Sequence, residues 1–95
     1  MNTVSPICAT YDQASQAFMS PFVVPSEGVA IRSFMDAINN SQQANDLSAH
    51  PEDFDLYVIG HFNASTGLVT AIDPLGKPLL QGKQAKLASS QANAG

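Results

Sequence analysis

A single cysteine, Cys8, leaves no partner for an intramolecular disulfide, so the chain reads as one that folds in a reducing compartment and acts in the cytoplasm. No stretch approaches the ~20 apolar residues that span a bilayer, and Met1 to Tyr11 lacks the cationic start and continuous apolar core of a signal peptide. Membrane insertion and export are therefore not expected. Basic residues are scarce as well: four Lys and Arg stand against eight Asp and Glu, a formal net charge of -4. Such a balance argues against the broad cationic surface on which sequence-independent DNA binding normally rests. No internal repeat is present, and Gly76-Lys77 lacks both the earlier glycine and the following Ser or Thr of a phosphate-binding loop.

The metal and nucleophile patterns are equally thin. His50 and His61 with the lone Cys8 offer no zinc-type ligand spacing. Glu52, Asp53 and Asp55 follow Pro51, where the positive end of a helical turn accounts for acids without any ion. A hydrolase built on Cys8, His61 or His50 and Asp55 would need convergence that spacing does not supply. A lone strand cysteine is more simply a small buried hydrophobe. No catalytic residue, metal ligand or cofactor is assigned.

What is present is one domain's worth of alternating and amphipathic pattern. With 95 residues the chain hides only about 60–65% of its unfolded surface, so any core is thin. Ile7, Ala9 and Tyr11 alternate as a first strand, and Asp12 to Gln16 supplies turn chemistry. Phe18 to Val24, interrupted by Pro21, reads as an edge strand or extended arm. Ser26 then caps a helix whose apolar stripe is Ile31, Phe34, Met35 and Ile38, with Arg32 and Asp36 on the wet side. Asn39 to Ser48 is expected to be an exposed loop. Pro51 should open one helical turn that leads into Asp55 to Phe62, whose two alternating sets are both largely apolar, which predicts a central strand covered on both faces. Leu68 to Ile72 returns as the second half of a hairpin.

The expected fold is α+β, a small antiparallel sheet packed by one amphipathic helix in the order β-β-α-β-β. The compact domain is placed at residues 1–80 and a disordered, flexible polar tail at 81–95, with a weak helix there as the exception. Of the aromatics Tyr11, Phe18, Phe22, Phe54, Tyr57 and Phe62, at least four are expected inside, because a small domain has few other large side chains to bury. The two tyrosines are the better candidates for a partly exposed role in stacking bases. Charge divides the chain: through Pro74, Arg32 is the one base against all eight acids, giving -7, and Lys77, Lys83 and Lys86 follow with no acid, giving +3. The total conceals an acidic body and a basic end.

Several segments in order carry a resemblance: Tyr11-Asp12, Pro21-Phe22 ahead of Gly28, Ala30-Ile31-Arg32 with Phe34 and Asp36, His50-Pro51-Glu52-Asp53-Phe54, Leu56-Tyr57 and Ile59-Gly60. Together they resemble the small nonstructural protein of gokushoviruses, the single-stranded DNA phages of the Microviridae, over roughly Ile7 to Ile72. The resemblance implies a nonenzymatic, non-capsid protein in the cytoplasm of the infected bacterial host that supports viral single-stranded DNA synthesis or packaging. Single-stranded DNA is the implied partner. In that reading Arg32, Lys77, Lys83 and Lys86 would meet phosphates, and Tyr11 or Tyr57 would stack bases. The alternative is an interaction module whose acidic surface holds a viral or host replication protein without touching DNA. The thin core and the edge near Phe18 to Val24 predict a homodimer.

Overall fold

The structure is a computed structural model that describes residues 3–40, 46–72 and 76–86. Two long strands form its centre. β1 (Val4–Asp12) and β4 (Phe54–Asn63) pair antiparallel along their whole length, from Val4 opposite Asn63 to Asp12 opposite Phe54, with a bulge after Ile7. Short strands complete each side. β2 (Ala17–Phe18) and β3 (Phe22–Val23) lie on the outer edge of β1, while β5 (Val69–Ala71) and β6 (Lys77–Gln81) lie on the outer edge of β4. Among the described residues this makes one antiparallel sheet of six strands, and with its helices the fold is α+β as expected. The stretch Phe18 to Val24 is the foreseen edge, broken into two pieces where Pro21 cannot join a ladder. β6 adds a strand beyond the expected order.

Helix α1 (Glu27–Asn39) begins where the Ser26 hydroxyl accepts the Val29 N–H at 3.3 Å, and Glu27 occupies the first turn, where its charge suits the helix dipole. It buries Ala30, Phe34 and Ile38 on Leu56, Val58, Phe54 and Cys8 of the sheet, with Ile31 and Met35 flanking that row. Arg32 and Asp36 are exposed, as the spacing predicts. In the stretch expected to be loop, residues 41–45 lie outside the described residues and Asp46–Ala49 forms a short helix, α2. Pro51–Asp53 makes the foreseen helical turn, of 3-10 type, immediately before β4.

Two expectations fail. β4 is covered on one face only: Phe54, Leu56, Val58 and Gly60 are buried, and Asp55, Tyr57, Ile59 and His61 between them are half-exposed. Of the six strand-associated aromatics only Phe54 is buried, and Phe18 and Phe22 are exposed. Among the described residues one long helix supplies one covering layer, so the opposite face of the sheet is left to rings that tolerate water.

The start of the polar end is packed. Residues 82–86 are helical, and Ala85 is fully buried in the core, its carbonyl accepting from the Asn39 side chain at 3.3 Å. The turn into this segment runs so close to the start of β4 that a Cβ on Gly82 would collide with the carbonyl oxygens of Pro51 and Phe54. Residues 82–86 thus take the helical form that was kept as the exception for this stretch, and residues 87–95 of the expected tail lie outside the described residues.

Candidate functional site

The uncovered face of the sheet brings together side chains from three strands. On β1, Tyr11 stands opposite Phe18 of β2 on one side and Asp55 of β4 on the other. Residues opposite each other in an antiparallel pair share a face, and so do residues two apart on a strand. Tyr11, Phe18, Asp55 and Tyr57 therefore form one surface. Their rings make a mutual edge-to-face cluster, with centroids 4.9 Å apart for Tyr11 and Phe18, 5.5 Å for Phe18 and Tyr57, and 6.4 Å for the two tyrosines. Each pair lies within the range in which aromatic quadrupoles attract. Ala9, opposite Tyr57, is fully buried yet stands outside the helix-side core cluster, so it floors this surface.

The rim is polar. The turn from β1 to β2 is closed by Asp12, whose carboxylate accepts the Ala14 N–H and the Ser15 hydroxyl, both at 3.0 Å, and Gln16 takes a left-handed φ of 56°. Gln13 is anchored twice: its backbone N–H donates to the Asp53 carbonyl at 2.8 Å and its side-chain amide donates to Asp55 Oδ2 at 2.8 Å. Two shallow grooves meet at Asp55 and Tyr57. One, of about 310 Å³, lies between Tyr11, Gln13 and Gln16; the other, of about 290 Å³, lies against Pro78, Gln81 and Gln84.

The expected site residues divide between the two sides of the sheet. Tyr11 and Tyr57 come together as members of the ring cluster. Arg32 does not join them, because it sits on α1, which packs against the opposite face. Lys77 stands opposite the core residue Val58, and its Nζ lies 3.2 Å from both Glu27 carboxylate oxygens at the start of α1. Lys83 and Lys86 are exposed on the helical segment whose Gln84 lines the second groove. Phe18, Gln13 and Asp55 belong to the surface and had no place in the expected set. A period-2 reading of Asp55 and Tyr57 marks Asp55; Phe18 becomes visible only once the Asp12 turn folds β2 back onto Tyr11.

The nucleophile reading loses its footing here. The Cys8 side chain is sealed in the core beneath α1, and that burial, reinforced by the negative charge of Glu27, pushes its thiol above the usual range. No hydrogen bond joins Cys8 to either histidine among the described residues. His50, Glu52 and Asp53 bring ligand-type atoms within 4.8 Å of one another on the surface of the 3-10 turn, while Asp55 turns away to Gln13. No helix among the described residues is long and apolar enough to cross a membrane.

The family described as phage ORF5 protein matches residues 5–85, which include the ring cluster, its rim and the segment carrying Ala85. The chain belongs to the phage ORF5 protein family. Among its relatives, protein ORF5 of Chlamydia phage 1 is 34% identical over 65 residues, covering 66% of this chain and 68% of that protein. Chlamydia phage 1 is a gokushovirus, so the resemblance drawn from Tyr11-Asp12 through Ile59-Gly60 holds, and the ORF5 match extends it beyond Ile72 to the docked end of the domain. No solved structure matches the chain.

Proposed function

We propose that this ORF5 protein is a nonenzymatic phage accessory protein, acting in the cytoplasm of the infected bacterium, that binds single-stranded DNA on the open face of its sheet and thereby supports viral single-stranded DNA synthesis or packaging. The observation that carries this reading is the cluster of Tyr11, Phe18 and Tyr57 on a face that no long helix among the described residues covers. Unpaired bases stack on exposed rings at about 1–3 kcal/mol each, with little dependence on sequence. Stacking suits an acidic protein, because it places bases rather than phosphates against the body. Lys83 and Lys86 are exposed on the helical segment whose Gln84 lines the second groove, and in this reading they meet the phosphates of a strand that leaves the rings. Arg32 and Lys77, on the helix side, have no part in this contact.

The test is a fluorescence-anisotropy titration of the whole chain with a labelled single-stranded oligonucleotide at low and moderate salt. Two neutralised phosphates predict a fall of about 1.4 log units in affinity per log unit of salt, from roughly 0.7 for each phosphate on a single strand. No binding at low salt removes the reading.

A second reading rests on the exposed acids Asp36, Asp46 and Glu52, on α1, α2 and the adjoining 3-10 turn. That side suits a basic replication protein and leaves the rings unused. Capture of such a protein from infected cells after nuclease treatment, together with absence of oligonucleotide binding, selects it. Either way, the exposed edge formed by Phe18, Met19, Phe22 and Val23 favours a homodimer, which sedimentation at micromolar concentration tests; a monomer there removes it.

A further inference from the structure

Phe18 belongs to two features at once. Its ring packs 4.9 Å from that of Tyr11 and 5.5 Å from that of Tyr57, and its backbone lies on the outer edge of the sheet. The register fixes which way that backbone faces. Opposed residues in an antiparallel pair alternate between those that exchange hydrogen bonds and those that do not. The Met19 N–H donates to the Thr10 carbonyl at 2.8 Å, which makes Phe18 and Tyr11 a pair that does not exchange them. The Val24 N–H donates to the Pro6 carbonyl at 3.1 Å, which does the same for Val23 and Ile7. The N–H and C=O of both Phe18 and Val23 therefore point away from β1, where no strand among the described residues meets them.

A second copy of this chain fits that edge. A twofold rotation about an axis perpendicular to the sheet sets the edge antiparallel against itself, so that Phe18 of one copy faces Val23 of the other and the reverse, and each such pair has both ladder hydrogen bonds to exchange. Residues 13–26 carry no charged side chain, so a partner recognised by charge finds nothing to hold there. Two copies that each bear a net charge of -4 meet at this seam without like charges set against each other. Met19, Phe22 and Val23, which are 45%, 37% and 54% exposed, are the apolar side chains that the contact covers.

The symmetry decides what the pairing does to the ring surface. An axis perpendicular to the sheet leaves the two open faces on the same side, with the Phe18 ring of each copy beside the seam. Resting on the single-stranded DNA reading, we infer that the DNA-binding face is shared by two copies joined along the Phe18–Val23 edge, so that Tyr11, Phe18 and Tyr57 of each supply half of one continuous surface. A strand long enough to cross the seam engages both halves, and the first contact raises the effective concentration for the second. A strand that covers one ring cluster gains nothing from the partner.

The experiment combines sedimentation at micromolar concentration with titration of two single-stranded oligonucleotides, one of about 5 nucleotides and one of about 20, against the roughly 4–16 that a single small binding domain engages. The whole chain is compared with Val23→Lys, because an edge lysine blocks strand pairing and its positive charge cannot itself weaken a contact with phosphates. Wild type is expected to sediment as a dimer and to bind the long strand at least about tenfold more tightly than the short one. Val23→Lys is expected to sediment as a monomer, to keep the affinity for the short strand and to lose most of the advantage of the long one. A wild-type monomer that binds DNA, a Val23→Lys dimer, or a Val23→Lys monomer with the full long-strand affinity overturns the shared face and leaves the single-stranded DNA reading standing. A wild-type dimer that binds neither strand overturns that reading and this inference with it. The wild-type measurements decide the question even if Val23→Lys fails to fold.

Discussion

Phe18 and Tyr57 sit on strands that flank β1 from opposite sides, yet their rings meet at 5.5 Å and 80°. They can do so because the β1 residue opposite Tyr57 is Ala9, whose methyl group leaves room for two rings to close over it. Tyr11, two positions along β1, completes the cluster by packing edge-on against both. The open face of this ORF5 protein is thus a built aromatic surface and not a leftover of incomplete burial.

Replacing those rings is expected to separate binding from stability. Tyr57→Ala should weaken single-stranded DNA binding by about 5- to 150-fold, corresponding to about 1–3 kcal/mol of lost stacking. Tyr57 is half-exposed, so the chemical denaturation midpoint should move far less than for a core truncation such as Phe34→Ala, which typically costs about 3–5 kcal/mol. Paired oligonucleotide titrations and urea melts read both quantities.

The charged residues should sort by side. Lys83→Ala and Lys86→Ala are each expected to lower the salt slope of oligonucleotide binding by about 0.7, the share of one phosphate on a single strand. Arg32→Ala, on the helix side, should leave the slope unchanged. Equal effects from Arg32 and Lys83 would show that the contacts are not confined to the open face.

The docked end of the domain depends on Gly82. Gly82→Ala forces a methyl group against the Pro51 and Phe54 carbonyls, and overpacking of this kind costs about 1–3 kcal/mol, although alanine by itself favours a helix. The measurement is the urea midpoint, together with increased hydrogen exchange across residues 82–86.

Cys8 supplies a pH dependence. Its folded thiol is raised above the ordinary value of 9.0, first by burial and then by Glu27, so the fold prefers the neutral form. Between the unfolded value and the higher folded value the native state binds more protons than the unfolded state. The contribution is therefore fully present below about pH 9 and is lost as pH rises through the folded value. Urea melts at pH 8 and pH 10 should show lower stability at the higher pH, and Cys8→Ala should flatten that part of the loss. A thiol reagent at pH 8 should label Cys8 only as the chain unfolds.

Local chemistry was readable in the chain. Ser26 with Glu27 marks the start of α1, Pro51 with Glu52 and Asp53 marks the 3-10 turn, and Gly67, with a φ of 77°, closes the loop between β4 and β5. The covering of β4 was not, because Tyr57, Ile59 and His61 look as buriable as Leu56, Val58 and Gly60 until the number of available layers is known. The ring cluster is equally hidden: Tyr11 and Tyr57 can be named as stackers one by one, but their meeting with Phe18 depends on the Asp12 turn and on register across three strands. The docking of residues 82–86 was hidden for a related reason. Gln81 to Lys86 carries no helical apolar stripe, and Ala85 is buried because Asn39 and the start of β4 receive it, a long-range fit that composition does not encode.

The most direct measurement is a chemical-shift map of the isotope-labelled chain titrated with a single-stranded oligonucleotide at low salt. The expected result is that shifts concentrate at Tyr11, Gln13, Phe18, Asp55 and Tyr57 and extend to Lys83 and Gln84, while Arg32 and Asp36 on α1 stay in place. Shifts centred on α1, or none at all, would contradict the assignment of the open sheet face as the binding surface.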